Sequence, residues 1–107
     1  MQLNPYYTWD YLYNQGRALY LLGRFEEAIV ALEKARDRNE NAMPVRLWLA
    51  ASYVSAGQQD DAEWETEQLQ MTNPAETLEH TRKSVPISDP VLLEKFIEDL
   101  RQAGLPE

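Results

Sequence analysis

The chain has 107 residues, enough for one domain, and 44% of them are apolar, which is sufficient for a packed core. It lacks cysteine, which excludes disulfides and thiol nucleophiles and fits a reducing compartment such as the cytoplasm. A net charge of −8 disfavours nucleic-acid binding, and no run approaches the roughly 20 apolar residues of a membrane span or forms a signal peptide.

The first predicted elements are two helices separated by Gly23. The apolar stripe of the first helix, at three- and four-residue steps, consists of Leu12, Gly16, Leu19 and Leu22. Gly23 adopts the left-handed conformation that ends a helix at low cost. Glu26 and Glu27 then favour the positive end of a second helix. The inner stripe of that helix consists of Ala28, Leu32 and Ala35.

The next two predicted helices repeat this arrangement. The stripe of the third helix consists of Val45, Leu49, Tyr53 and Ala56. Gly57 ends it, and Asp60 and Asp61 begin the fourth helix. Asn73 and Pro74 mark the end of the fourth helix, because proline cannot continue the hydrogen-bond ladder. The sequence therefore predicts two helical hairpins in succession.

The remaining residues predict a short helix and a longer closing helix. Residues 74–83 can form the short helix, and residues 84–90 form a loop that Pro86 interrupts. Asp89 is a favourable N-cap, with Pro90 at the first helical position. The apolar face of the closing helix, which ends near Ala103 and Gly104, consists of Leu92, Leu93, Phe96, Ile97 and Leu100. We expect this helix to cover the last apolar face of the repeat array.

The two hairpins are related by a shift of 34 residues. The matching positions are Gly16 and Ala50, Leu19 and Tyr53, Gly23 and Gly57, Ala28 and Ala62, Ala35 and Leu69, and Asn39 and Asn73. Small residues recur where two helices must pack closely, and glycine recurs where a helix must end. The predicted fold is all-α, a single domain of antiparallel helix hairpins at 9–40 and 43–74, with a capping segment at 75–107.

This unit resembles the tetratricopeptide repeat. The family's small residue, turn glycine and second-helix alanine are matched in both units by Gly16 and Ala50, Gly23 and Gly57, and Ala28 and Ala62. The aromatic residue after the turn is matched by Phe25 but not by Gln59. The closing proline is matched by Pro74 but not by Glu40, and Thr66 replaces a bulkier residue. The resemblance covers residues 9–74 and implies an α-α superhelix that binds proteins or peptides.

A second resemblance concerns both ends of the chain. Asn4 and Pro5 look like the last residues of a preceding repeat, so we expect the chain to be the C-terminal part of a longer protein. Residues 100–107 resemble the ends of bacterial tetratricopeptide proteins, including regions that follow the catalytic domain of class III adenylate and guanylate cyclases. The alternative function is therefore a regulatory region of a cyclase-like signalling protein. None of the cyclase's metal-binding aspartates is recognisable.

The tetratricopeptide resemblance implies a groove lined by the first helix of each hairpin. The groove residues carried over by register are Asp10, Tyr13, Asn14, Arg17, Tyr20, Leu47, Ala51 and Val54. Tyrosine and arginine often contribute much of the binding energy at interfaces. The tyrosines could instead pack against an upstream repeat. A clamp for a chaperone's terminal carboxylate is not expected, because the lysine and asparagine it needs are replaced by Tyr13, Arg17 and Ala51.

The N-terminus is rich in aromatic residues. The residues predicted to self-associate are Tyr6, Tyr7, Trp9 and Tyr11. An exposed apolar face of this kind favours a homodimer or higher oligomer. A purely structural role in oligomerisation is thus a further alternative, and the same cluster could instead dock within a longer chain.

No catalytic residue, metal or cofactor is predicted. Adjacent carboxylates such as Asp60 and Asp61 at a helix start do not face one another and are explained by the helix dipole. His80 lacks an oriented partner and a pocket, and is interpreted as a surface residue. Residues 47–81 contain seven acidic residues and no lysine or arginine, which indicates a solvated acidic face or, alternatively, a docking surface for a basic partner. Trp48 and Trp64 are interpreted as core or inter-helix residues.

Overall fold

A computed structural model describes residues 8–107, which form six helices and no strand. The helices are α1 (Trp9–Leu21), α2 (Phe25–Arg38), α3 (Met43–Ser55), α4 (Gln59–Thr72), α5 (Leu78–Ser84) and α6 (Pro90–Ala103). The predicted all-α helix-repeat fold is confirmed. Within residues 8–107, no helix combines the length and the hydropathy that a membrane span requires.

The first four helices form two hairpins that stack on each other. Helix α1 packs against α2, α3 packs against α4, and α2 joins the hairpins by packing against α3. The predicted breaks are found where expected, since Gly23 and Gly57 have φ values of 81° and 82° between consecutive helices. Gly16 explains the need for a small residue: a Cβ atom there would lie 2.4 Å from Leu32 Cγ. Larger side chains at that position would force α1 and α2 apart.

Replacing Gly23 by valine is expected to lower the free energy of unfolding by about 1–2 kcal/mol, the cost of a left-handed conformation for a residue with a Cβ. Apart from the two neighbouring residues, no atom lies within 4 Å of the position a Cβ would take, so backbone strain should dominate the effect. Urea denaturation followed by circular dichroism measures it. Gly23→Asn is the matched control and should lose less, because asparagine tolerates this conformation. An unchanged midpoint for the valine variant would contradict the assignment of the turn.

The ends of α6 carry the predicted caps. Asp89 Oδ1 accepts hydrogen bonds from the backbone N–H groups of Val91 at 2.8 Å and Leu92 at 3.3 Å, and Pro90 is the first helical residue. Gly104 follows the helix with a φ of 106°. Leu105, which is buried, then donates its backbone N–H to the carbonyl of Leu100 at 3.1 Å. Both ends of α6 are therefore fixed by local backbone chemistry.

Helix α6 does not lie simply at the end of the array. It packs mainly against α3, with smaller contacts to α5 and α4. Phe96 on α6 is fully buried and also contacts Tyr20 of α1. The expected cover of the last hairpin does not account for this contact with the first hairpin. Because α6 crosses α3 and reaches α1, it joins both hairpins in one hydrophobic core.

Candidate protein-binding groove

An aromatic cluster lies where α1, α3 and α6 meet. The ring centroids of Tyr20 and Trp48 are 5.6 Å apart, and those of Tyr20 and Phe96 are 5.7 Å apart, both edge to face. Trp48 and Phe96 are closer still, at 4.4 Å. Such pairs add stabilisation to that from buried area. The first helices of the two hairpins are thus held together by a side chain from α6.

A carboxylate on α6 binds polar groups from the same three helices. Asp99 Oδ2 accepts hydrogen bonds from Tyr20 Oη at 2.5 Å, from Ser55 Oγ at 2.7 Å and from Lys95 Nζ at 2.7 Å. The ammonium of Lys95 also lies 4.7 Å from the ring centroid of Phe25. Burial, together with the hydrogen bond to Asp99 and its negative charge, raises the pKa of the Tyr20 hydroxyl well above its usual value. Tyr20 is therefore neutral and held as a donor.

Three of the eight predicted groove residues are buried. Tyr20, Leu47 and Ala51 lie in the hydrophobic core, so their expected place on an accessible surface is corrected. Helix α3 packs against α1, α2, α4 and α6, and every residue from Val45 to Tyr53 is buried as a result. A peptide cannot reach these three side chains in this conformation.

The accessible part of the predicted groove lies on the first three turns of α1. Asp10 and Asn14 are exposed, and Tyr13 and Arg17 are partly buried; Val54 of α3 is partly buried as well. The guanidinium of Arg17 lies 4.8 Å from the centroid of the Tyr13 ring and 5.8 Å from that of Trp48. These distances place the cation against two aromatic rings.

Arg17 has unused hydrogen-bonding capacity. One terminal nitrogen donates to Asn14 Oδ1 at 2.7 Å. Its Nε is buried and has no hydrogen-bond partner among the described residues. Burial raises the pKa of the neighbouring Tyr13 hydroxyl, and the positive charge of Arg17 opposes this shift. The patch therefore combines two aromatic side chains with a cation whose donors are only partly used.

The predicted self-association residues are only partly described. Tyr6 and Tyr7 lie outside the described residues. Trp9 is partly buried, with its ring centroid 6.1 Å from that of Tyr13, while Tyr11 is 48% exposed. Trp9 therefore lies beside Tyr13, and the Tyr11 side chain is half exposed to solvent. Self-association through these residues stays a prediction.

The acidic segment is not uniformly solvated, which corrects the interpretation from sequence. Glu65 is fully buried and binds two arginines: Arg36 at 2.5 Å and Arg46 at 2.8 Å. The three residues come from α4, α2 and α3, so this ion-pair cluster joins the hairpins. The burial of Glu65 could have been predicted from its position in the sequence, because it lies between Ala62 and Leu69 on the inner stripe of α4.

Glu76 is the second acidic residue that the structure places in the interior. Its Oε2 accepts a hydrogen bond from Thr81 Oγ1 at 2.7 Å and lies 2.9 Å from His80 Nδ1. The His80 side chain is exposed, as interpreted from sequence, although it has this carboxylate partner. Glu76, which precedes α5, is therefore bound to two residues of that helix. Among residues 8–107, no group of three or more acidic or histidine residues is arranged to hold a metal ion.

The two predicted core tryptophans differ. Trp48 is buried in the aromatic cluster, which confirms its core role. Trp64 is 50% exposed, and its contact is with Arg46, whose guanidinium lies 5.7 Å from the ring centroid. Trp64 is therefore not a core residue, and this contact is with α3 rather than with the closing helix that the sequence favoured.

Comparison with known families agrees with this geometry. A family described as tetratricopeptide repeat matches residues 19–79, more than half of the chain. The chain belongs to the tetratricopeptide repeat family. No curated protein and no solved structure matches it. Tetratricopeptide repeats are typically non-catalytic modules that bind other proteins.

Proposed function

We propose that this tetratricopeptide module binds a peptide segment of a partner protein at the Arg17 patch, formed by Tyr13, Asn14 and Arg17, with the Arg17 guanidinium lying against the buried ring of Trp48. The observation that carries the proposal is the Arg17 guanidinium, held against two aromatic rings with a buried Nε that has no partner among the described residues. The Arg17 side chain as a whole is only partly buried, so a carbonyl or carboxylate oxygen of a ligand would accept hydrogen bonds from its accessible N–H groups.

The position of α6 limits the size of this site. Phe96 and Asp99 occupy the space beside Tyr20 and Ser55, at the C-terminal ends of α1 and α3. A bound peptide would therefore contact mainly the first turns of α1. We expect a short segment in which one acceptor group faces Arg17 and one apolar side chain packs against Tyr13 and Trp9.

Replacing Tyr13 and Arg17 together by alanine is expected to weaken peptide binding at least about tenfold, since tyrosine and arginine are frequent hot-spot residues. Peptides would be selected by display against the wild-type chain and measured by fluorescence polarisation. The control is Leu22→Ala with Arg24→Ala, a pair exposed at the first hairpin turn. Selected peptides that bind the Tyr13 and Arg17 variant as tightly as the wild type would contradict the proposal.

Self-association is a second candidate function, favoured by the exposure of Tyr11 in the first turn of α1. Aromatic residues are enriched at protein interfaces relative to the rest of the surface. The molar mass in solution separates the two candidates. A monomer favours an open peptide site, whereas a dimer that Tyr11→Ala dissociates favours self-association.

The cyclase-like alternative depends on residues 100–107, and their contacts give these residues a structural role. Gly104 ends α6, Leu105 is buried, and the carbonyl of Pro106 accepts a hydrogen bond from the N–H of Leu78 at 2.8 Å. Such contacts explain the tail sequence without a cyclase. A regulatory role in a cyclase-like protein, and a cytoplasmic location, therefore stay proposals that the gene sequence upstream of Met1 would test.

A further inference from the structure

The outward face of α4 combines exposed apolar side chains with carboxylates. Trp64 is 50% exposed and Met71 is 76% exposed. Residues 60, 64, 67 and 71 follow helical spacing and share one face. We call this surface the α4 stripe; its residues, all exposed, are Asp60, Glu63, Trp64, Glu67 and Met71. It runs from Asp60 to Met71, a rise of about 17 Å along the helix, which is a length suited to one segment of a partner.

The indole of Trp64 packs against an arginine that is itself held by an ion pair. Arg46 stacks on it at 5.7 Å, and Arg46 is itself bound by the buried Glu65 at 2.8 Å. Glu65 also binds Arg36, so α2, α3 and α4 all support the same contact. An aromatic side chain fixed in this way loses little conformational entropy when a partner covers it.

The carboxylates of the α4 stripe are not neutralised by the chain. Within residues 8–107, no ion pair involves Asp60, Glu63 or Glu67. The segment from 47 to 81 supplies no lysine or arginine beside them. A second copy of the chain is a poor occupant, because its net charge is −8. Charge complementarity instead favours a basic partner.

We propose that the α4 stripe docks a basic amphipathic helix of a partner protein. Its apolar residues would pack against Trp64 and Met71, and its lysines or arginines would face Asp60, Glu63 and Glu67. Helix-on-helix packing suits this surface, because the stripe is a convex ridge on a single helix. The proposal goes beyond the Arg17 patch: the stripe lies on a different helix, so the two surfaces can fail independently.

The test uses a fluorescein-labelled peptide of about 14 leucines and lysines arranged with helical periodicity. Fluorescence anisotropy at about 0.15 M salt would measure its binding to the wild-type chain. We expect saturable binding that Trp64→Ala weakens at least about tenfold, as is typical of a central aromatic residue. Glu63→Gln with Glu67→Gln should weaken it several-fold and reduce its salt dependence. Binding should also reduce the acrylamide quenching of the exposed tryptophan.

Matched controls separate this surface from general attraction to an acidic protein. Val91→Ala removes an even more exposed apolar side chain, on α6, and Glu26→Gln with Glu40→Gln removes two exposed carboxylates elsewhere. Both variants, and the Tyr13 and Arg17 variant, should bind the peptide like the wild type. The proposal is overturned if the probe does not bind at about 100 µM protein, or if Trp64→Ala and the control variants lose affinity equally.

Discussion

Replacing Glu65 by alanine is expected to lower the free energy of unfolding by about 3–5 kcal/mol, a large part of the stability of a small domain. Glu65 is fully buried, and its two carboxylate oxygens bind Arg36 and Arg46. Alanine removes the carboxylate but leaves both guanidinium groups in place, and the Arg46 side chain is only 10% exposed. An uncompensated cation in that position accounts for most of the expected loss.

Chemical denaturation followed by circular dichroism measures this effect. Glu67→Ala is the matched control, because Glu67 is two residues away on the same helix and is exposed. It should change stability by no more than about 0.5 kcal/mol. Glu65→Gln should fall between the two, since it keeps the shape and an acceptor oxygen but loses the charge. Equal losses for the Glu65 and Glu67 alanine variants would show that the ion-pair cluster does not stabilise the fold.

Replacing Phe96 by alanine is expected to cost a similar amount, about 3–5 kcal/mol, as is usual for a buried aromatic residue. Phe96 contacts both Tyr20 and Trp48, so its loss leaves a cavity among three helices. The near-ultraviolet circular dichroism of the aromatic residues should weaken, and the fluorescence of Trp48 should shift to longer wavelength as water enters.

Val91→Ala is the control for this experiment, because Val91 lies on the same helix with 76% of its surface exposed. It removes apolar side-chain atoms from α6 without disturbing the core, and should leave the unfolding midpoint nearly unchanged. If Phe96→Ala also leaves the midpoint unchanged, then α6 is a detachable cover, and the two hairpins are stable without it.

The sequence predicted most of the local structure because local structure depends on local chemistry. Gly23 and Gly57 end helices, Asp89 and Pro90 begin one, and Gly104 ends the last, each through backbone conformations that the residue type alone favours. The spacing of 34 residues predicted two similar hairpins, because small and apolar residues recur at the same positions of each unit.

The positions of α6 and Glu65 could not be predicted in this way. The apolar face of α6 indicates that the helix is buried, but not that it crosses α3 to reach Tyr20. Glu65 belongs to a run of acidic residues that composition assigns to solvent, and only its two arginine partners, 19 and 29 positions away, make its burial possible. The predicted groove differs most from the structure, because Phe96 of α6 packs against Tyr20, which the repeat register had placed on an accessible surface.

Asp99 also changes how the repeats can come apart. In an open array each repeat touches only its neighbours, so an end can fray while the rest stays folded. Here the Asp99 carboxylate accepts a hydrogen bond from Tyr20, 79 positions earlier, and another from Ser55 in the second hairpin. Because that bond joins the last long helix to the first, the array is closed into a loop of contacts. Detaching α6 therefore breaks contacts with both hairpins, so unfolding from this helix also loosens the end of α1.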